Sequence, residues 1–340
     1  MPLLFAIRSY DYLKQEMLKD SRFTDGTIFV NHFPDGERFQ RIETSVRDRD
    51  VVLVGGTITD TDALEMFDVA CAMVKYGARS LSLVIPYYGY STMERAKPLT
   101  REVVTAKTRA RLLSAIPKAY MGNRVILFDL HVEGLVHYFD QDLMVIQAMG
   151  DSLVVETSRD VVKDLQSRGY KVDDSKMIIA STDAGGAKRV EQLGKILKWD
   201  TAFLSKRRID GEHTQVTNIN ARVEGKHVFI YDDMTRSGSS IVNAAKAYKE
   251  HGAKTVSAFV SHGAYTNDWV TTYKMLTKGE VDYLYSTDSH VRAKELFDIQ
   301  DSVKPKGVDG ILRIKSCASI LAEAVIHHLP RGWGQGCDNH

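Results

Sequence analysis

The chain has 340 residues, of which 44% are apolar and 26% charged, with a formal net charge of +1. This is the balance of an ordinary globular protein, long enough for two α/β domains. The near-neutral charge excludes a global basic field for nucleic acid, while a local basic site for a phosphorylated small molecule is compatible with it.

Cys71, Cys317 and Cys337 are far apart, odd in number and without zinc spacing. They argue against a disulfide framework and for a reducing compartment, so a cytoplasmic location is expected. Cys71 reads as core filler in an apolar helical stretch. The opening MPLLFAIRSYDYLKQ meets Arg8 after an apolar run too short for a signal-peptide core or a membrane span, and no later stretch reaches spanning length. No membrane partner is expected. The terminal GWGQGCDNH predicts a frayed tail.

In chain order, DVVLVGGT, TDALEMFDVACAMVKYGA and RSLSLVIPYYGY read as strand, helix and strand over residues 50–90. RVILFDLHV (124–132) and KMIIASTDAGG (176–186) predict two further strands. The first plan then returns as KHVFIYDDMTRSGSS, IVNAAKAYKEHGA and KTVSAFVSHGAY over residues 226–265. Val51 to Gly77 spans 26 residues and His227 to Gly252 spans 25. Uninterrupted apolar runs suit strands covered on both faces, and Gly77 and Gly252 suit the left-handed residue that follows a helix. The pattern predicts two similar doubly wound parallel-sheet domains, 1–155 and 156–315. The helical segment CASILAEAVIHHL (within 316–330) could pack on either and is assigned to the first.

In such sheets ligands sit beyond the carboxyl ends of the strands. The most informative stretch there is VFIYDDMTRSGSS. Two acids, Asp232 and Asp233, end a strand, and a small hydroxyl-rich turn, Ser237, Gly238, Ser239 and Ser240, opens a helix. Backbone N–H groups at a helix start can cradle a phosphate. Carboxylates would repel that phosphate, so the acids suit sugar hydroxyls or a metal-bound sugar. A merely capped helix needs neither two acids nor three serines.

This stretch resembles the 5-phosphoribosyl 1-diphosphate motif of type I phosphoribosyltransferases and ribose-phosphate pyrophosphokinases. FPDGERF (33–39), IPYYGY (85–90), FDLH (128–131), DAGGAKR (183–189) and SKRR (205–208) resemble landmarks of the pyrophosphokinases, in order and over nearly the whole chain. The resemblance implies two domains of the type I phosphoribosyltransferase fold, the first on the nucleotide-donor side and the second binding ribose 5-phosphate. It implies that Phe33, Asp35 and Glu37 contact adenine from a neighbouring subunit, which makes a homo-oligomer expected. Arg95 is assigned to ATP, although Glu94 and Arg95 could instead pair with each other. His131 and Asp183 are implied as the Mg2+ pair, and Lys206 and Arg208 as catalytic cations on a mobile arm. The bland alternatives are a Pro-Asp-Gly turn at 34–36, a structural histidine at 131 and a solvated surface hairpin at 205–208.

The expected reaction moves the diphosphoryl group of ATP, or another nucleoside triphosphate, to the anomeric hydroxyl of ribose 5-phosphate. Three departures from the usual pattern stand out. Thr92 and Met93 replace an Arg-Gln pair, Arg236 replaces an Asp, and Ser239 replaces a Gly. The first two, with LLSAIPKA and HYFD, resemble the plant-type, phosphate-independent class with broad donor use. A phosphoribosyltransferase would explain DDMTRSGSS but not FPDGE, FDLH or the repeated domain. A non-catalytic regulatory homologue would be expected to show a damaged arm or metal site, and those residues are present.

Overall fold

The computed structural model describes residues 1–208, 214–303 and 310–330. The first half runs β1 (Leu3–Ala6), α1 (Asp11–Met17), β2 (Thr24–Asp25), β3 (Ile28–His32), β4 (Arg38–Ile42), β5 (Asp50–Val54), α2 (Asp60–Lys75), β6 (Ser80–Ile85), α3 (Thr105–Ser114), β7 (Asn123–Phe128) and β8 (Met144–Ala148). The second runs α4 (Asp151–Ser167), β9 (Met177–Ser181), α5 (Ala187–Leu197), β10 (Asp200–Arg208), β11 (Thr214–Ile219), β12 (His227–Thr235), α6 (Ser239–Glu250), β13 (Thr255–Gly263), α7 (Trp269–Lys278), β14 (Tyr283–Thr287), α8 (Val291–Val303), β15 (Leu312–Lys315) and α9 (Ala318–His327).

The chain divides into two compact units. Unit 1 holds residues 1–149 and the described residues from Cys317 onward, including α9; unit 2 holds 150–316. Residue 155 lies inside α4.

Each unit is built on a parallel sheet. In unit 1 the spatial order is β2-β1-β5-β6-β7-β8, every pair parallel. In unit 2 it is β11-β10-β9-β12-β13-β14-β15, parallel except for the β10–β11 hairpin. Without the outer strands both sheets follow one plan, β1-β5-β6-β7-β8 against β9-β12-β13-β14-β15. The half-chain repeat seen in the sequence is therefore a repeat of topology. Its uninterrupted apolar runs are buried on both faces: Leu53, Val84, Ile126, Phe229 and Ala258 have no accessible surface. Gly77 (φ 92°) and Gly252 (φ 89°) follow α2 and α6 in the left-handed conformation expected of them.

The order of strands also determines where a ligand can enter. From β9 the chain passes through α5 to β10 on one side, and from β12 it passes through α6 to β13 on the other. The carboxyl ends of β9 and β12 thus flank a crevice that no connection crosses. In unit 1 the corresponding place lies between β1 and β5.

Strands β3 and β4 stand apart as a two-stranded antiparallel hairpin. Glu65 of α2 anchors it, accepting hydrogen bonds from Arg38 (3.3 Å) and Gln40 (3.1 Å). Cys71 is only partly buried in α2, a less complete burial than core filler requires, whereas Cys317 is buried. Cys337 and the GWGQGCDNH tail lie outside the described residues. Among the described residues, no helix is long and apolar enough to cross a membrane.

Two glycines separate close contact from backbone freedom. A Cβ on Gly89, after β6, would lie 1.9 Å from the Thr57 carbonyl oxygen, whereas Gly169 has φ 85° and nothing within 4 Å of its would-be Cβ. Urea unfolding is expected to show a loss of about 3 kcal/mol for Gly89→Ala. For Gly169→Ala the expected loss is about 1 kcal/mol, the cost of left-handed backbone alone. Equal losses would mean that the Thr57 backbone moves aside freely.

Candidate functional site

Unit 2 assembles its site where β9 and β12 part. The β9–β12 ladder ends at Ser181 opposite Tyr231, while the β12–β13 ladder continues to Thr235 opposite Gly263. The sequence expectation that the two acids end the strand is thereby corrected. Asp232 and Asp233 lie inside β12, on an extension held by β13 and unpaired on the β9 side.

Asp232 is half-buried there. Its Oδ2 accepts from the Thr182 hydroxyl at 3.0 Å and its Oδ1 from the Asp233 N–H at 3.1 Å. Burial, followed by the nearby carboxylates of Asp233 and Asp183, pushes its pKa up to about 7. Two donors do not offset the removal of water and the approach of two like charges. Such a carboxyl gains from a ligand that brings hydroxyl donors or a cation.

Beyond β12 the chain turns through Arg236, Ser237 and Gly238 into α6. Gly238 has φ 85° and, as the residue before the helix, supplies no side-chain cap, while the Ser239 N–H donates to Ser237 Oγ at 3.3 Å. The Gly238 N–H donates to Thr235 Oγ1 at 3.0 Å, and the hydroxyls of Ser237 and Ser239 lie 2.9 Å apart. The turn is braced from outside by the Thr266 N–H on the Arg236 carbonyl (2.8 Å) and by Asn267 Nδ2 on that of Ser237 (3.4 Å). Arg236 and Ser239 are exposed and Ser240 is half-buried. The result is a braced helix start whose N-cap glycine offers no side chain, with serine hydroxyls at its mouth, suited to an anion.

The equivalent turn in unit 1 is closed. Thr59 and Asp62 form a reciprocal capping box at the start of α2, and Ser9 also donates to Asp62 at 2.8 Å. A Cβ on Gly56 would meet the fully buried Tyr10 ring at 2.5 Å. A side-chain carboxylate thus serves this helix start, and an aromatic ring packs against the turn before it.

Asp183 follows β9 and caps a short 3-10 turn through the Gly185 N–H (2.9 Å). A Cβ on Gly186 would sit 2.8 Å from that of Ser181, so this turn needs glycine for room. Asp183, Asp232, Asp233 and Ser237 to Ser240 are thus gathered around one crevice. Thr182, the hydroxyl partner of Asp232, was not anticipated; its one sequence signal is its place beside Asp183 at a strand end.

Other candidates lie elsewhere. Lys206 and Arg208 are on β10, where their backbones pair with Val216 and Thr214 in the hairpin with β11. Their side chains lie outside the described residues, as do positions 209–213 of the arm. In unit 1, Phe33, Asp35 and Glu37 form the tip of the β3–β4 hairpin. Phe33 donates its N–H to the Glu37 carbonyl (2.8 Å), and Asp35 Oδ1 accepts from the Glu37 N–H (3.0 Å). The Pro-Asp-Gly turn is therefore real, and Phe33 remains 50% exposed on it. His131 is exposed just beyond β7. Arg95 lies in the loop after β6, its Nε 3.2 Å from Glu94 Oε1 and its side chain 86% exposed, so the two do pair. A cavity of about 900 Å³ between the hairpin and α2 touches none of these residues.

A parallel sheet with a serine-lined helix start and two acids at its switch point defines a domain of the phosphoribosyltransferase type. Comparison with known proteins places the chain further. Residues 2–116 match the N-terminal domain of ribose phosphate pyrophosphokinase, and residues 158–287 match the phosphoribosyl transferase domain. A ribose-phosphate pyrophosphokinase of Fusobacterium nucleatum is 31% identical over 326 residues, covering 94% of this chain and 97% of that protein. One from Vibrio parahaemolyticus is 30% identical, covering 95% and 94%. The crystal structure of phosphoribosylpyrophosphate synthetase from Mycobacterium smegmatis shares the fold, with a TM-score of 0.75 at 22% identity over 95% of this chain and 97% of that one. The chain belongs to the ribose-phosphate pyrophosphokinase family.

The raised Asp232 has a consequence for stability. Its folded pKa lies above the ordinary value of 3.8, so its contribution is fully present below that value and is lost as pH rises through about 7. Asp232→Asn should remove this loss. Without ligand, the variant is expected to be more stable than the parent by an amount on the order of 2 kcal/mol at pH 8, and no more stable at pH 4. Thermal melts at the two pH values check this; a pH-independent difference would place the carboxyl in ordinary solvent.

Proposed function

We propose that the chain is an active enzyme that transfers the diphosphoryl group of a nucleoside triphosphate to ribose 5-phosphate, giving 5-phosphoribosyl 1-diphosphate and the nucleoside monophosphate. The observation that carries this reading is the open crevice of unit 2, where frustrated acids adjoin a helix start whose N-cap glycine offers no side chain, in a chain that covers 97% and 94% of the two relatives compared.

The sugar phosphate is assigned to the turn Ser237 to Ser240, where N–H groups and hydroxyls meet its oxygens. Asp232 and Asp233 accept from the ring hydroxyls, which relieves the charge on Asp232. The anomeric hydroxyl attacks the β-phosphorus of the donor, and the bond from that phosphorus to the α,β-bridging oxygen breaks. Transfer of this kind asks for positioning and charge neutralisation more than covalent help. Lys206 and Arg208 are assigned to neutralise charge gathering on the phosphate oxygens.

The crowding of Asp183, Asp232 and Asp233 fits a divalent cation nearby. Among the described residues no three His, Cys, Asp or Glu side chains form a closed cage. Mg2+ is commonly held by one or two protein groups, water and substrate phosphates. Asp183 in unit 2 is assigned as a metal-associated carboxylate, and His131 in unit 1 as a metal-associated donor on the nucleotide side. When bound, Mg2+ would offset negative charge on the phosphates.

ATP is the expected donor, with Phe33, Asp35 and Glu37 offering adenine contacts and Arg95 a phosphate contact. Phe29, Phe33 and Phe39 are 42%, 50% and 38% exposed, with Phe39 edge-on to both of the others. An exposed aromatic cluster on a projecting hairpin supports a homo-oligomer in which a second copy covers it. Thr92 and Met93 support the plant-type, phosphate-independent class, because neither offers the planar polar groups that read a base edge.

Purified protein with Mg2+, ATP and ribose 5-phosphate should release AMP and 5-phosphoribosyl 1-diphosphate in equal amounts, and chelator should abolish both. ADP in place of AMP would overturn the diphosphoryl assignment. Absence of turnover in a folded sample that still binds ribose 5-phosphate would favour the regulatory homologue. In the same assay Lys206→Ala should lower turnover by about two orders of magnitude, the worth of ~3 kcal/mol in a transition state, with unchanged melting. For the subclass, ATP, GTP and CTP should all serve as donors without added phosphate. Strict ATP use with strong phosphate activation would exclude that class.

A further inference from the structure

The loop after β6 carries Thr92, Met93, Glu94 and Arg95. Met93 is 45% exposed, and the Arg95 side chain is 86% exposed. Packing therefore does little to hold these two side chains, and their placement follows mainly from the backbone turn that carries them. That turn is strained: Tyr90 has φ 63°, a left-handed conformation uncommon for a bulky residue, and its carbonyl accepts from the Met93 N–H at 2.8 Å.

Three elements of unit 1 hold Tyr90 in that conformation. Its hydroxyl donates to Asp60 Oδ1, in the first turn of α2, at 2.8 Å. Arg109, one turn into α3, donates from Nη2 to the same Asp60 oxygen. The Arg109 guanidinium also lies over the Tyr90 ring, 5.3 Å from its centroid. On the other side, the Gly89 N–H donates to Thr57 Oγ1 at 2.8 Å. The Asp60 side chain is 69% exposed, so its ion pair with Arg109 alone would stabilise little. Arg109 itself is 20% exposed, and its Nε is buried without a hydrogen-bond partner among the described residues. An ion pair of small worth, an orphaned guanidinium donor and a strained tyrosine make a poor brace for the packing of α2 on α3. They make better sense as a device that sets the shape of the turn.

We infer that Arg109 is a positioning residue for the nucleotide donor: clamped to Asp60 and stacked on Tyr90, it fixes the turn that presents Met93 and Arg95. The inference rests on the proposed function and deepens it on the donor side. A flat, delocalised cation suits the stack best, so lysine at this position would keep the ion pair with Asp60 and weaken the stack on Tyr90.

Steady-state kinetics with ATP and ribose 5-phosphate test this, together with melting curves. Arg109→Gln is expected to raise the KM for ATP about tenfold, leaving the KM for ribose 5-phosphate within about twofold and kcat within about threefold. Arg109→Lys should fall between the two. A merely structural role predicts instead that both KM values and kcat deteriorate together with melting, and that result overturns the inference, as does an unchanged KM for ATP. Should Arg109→Gln fail to fold, Tyr90→Phe, which removes only the hydroxyl bond to Asp60, is read the same way. A selective rise in the KM for ATP supports the clamp and no change refutes it. If the unsubstituted protein forms no AMP, the proposed function fails and takes this inference with it. If it forms AMP while Arg109→Gln matches it, this inference alone fails.

Discussion

Unit 2 keeps the carboxyl of Asp232 half out of water, against two other carboxylates, and much of its architecture serves to hold it there. The β13 ladder carries β12 past the end of β9, which exposes one flank of the extension. The parting of the chain at β9 and β12 leaves that flank uncovered. A threonine hydroxyl and a backbone N–H steady the carboxyl without relieving it. The sheet pays for this crowding with its buried apolar strands, because a parallel sheet covered on both faces is stiff enough to hold a local frustration. A ligand that brings hydroxyls or a cation gains binding free energy from relief the protein alone does not supply.

The two units show how one topology can be opened or sealed by a few side chains. Both have a five-strand order of the same kind, and in both a helix starts at the switch point. In unit 2 the start is preceded by a left-handed glycine that offers no side chain. In unit 1 a threonine and an aspartate satisfy N–H groups at the helix start, and a buried tyrosine packs against the glycine before it. The difference is local, a matter of hydrogen-bond partners and one ring, and it leaves the strands unaltered.

The parts of this arrangement legible in the sequence were those that act locally. The strands at 50–54, 80–85, 123–128, 177–181 and 255–263, and the first five residues of β12, rest on apolar runs, and the glycines after α2 and α6 mark helix ends. The serine-rich turn with its two acids is contiguous, so its chemistry could be read directly. Less visible were short or mixed strands such as LLFA and YLYST, whose pairing depends on neighbours far along the chain. The true end of β12 was hidden because the β13 ladder, not the residues of β12, extends it. Thr182 and the Asp60–Tyr90–Arg109 clamp are brought together by folding, and no spacing announces either.

The position of α9 has a bearing on how the protein is made. This helix buries Leu321, Ala322 and Val325 and packs against α1 and strands β6, β7 and β8, and Arg22 reaches Glu323 on it. Unit 1 is thus discontinuous, whereas unit 2 is a single stretch between its two parts. On a ribosome, unit 2 can close as soon as it emerges. The part of unit 1 that precedes unit 2 must wait with an apolar flank uncovered until α9 arrives. Of the two units, the one whose first part emerges earlier is therefore the one completed later, and the one more exposed to misassembly in the interval.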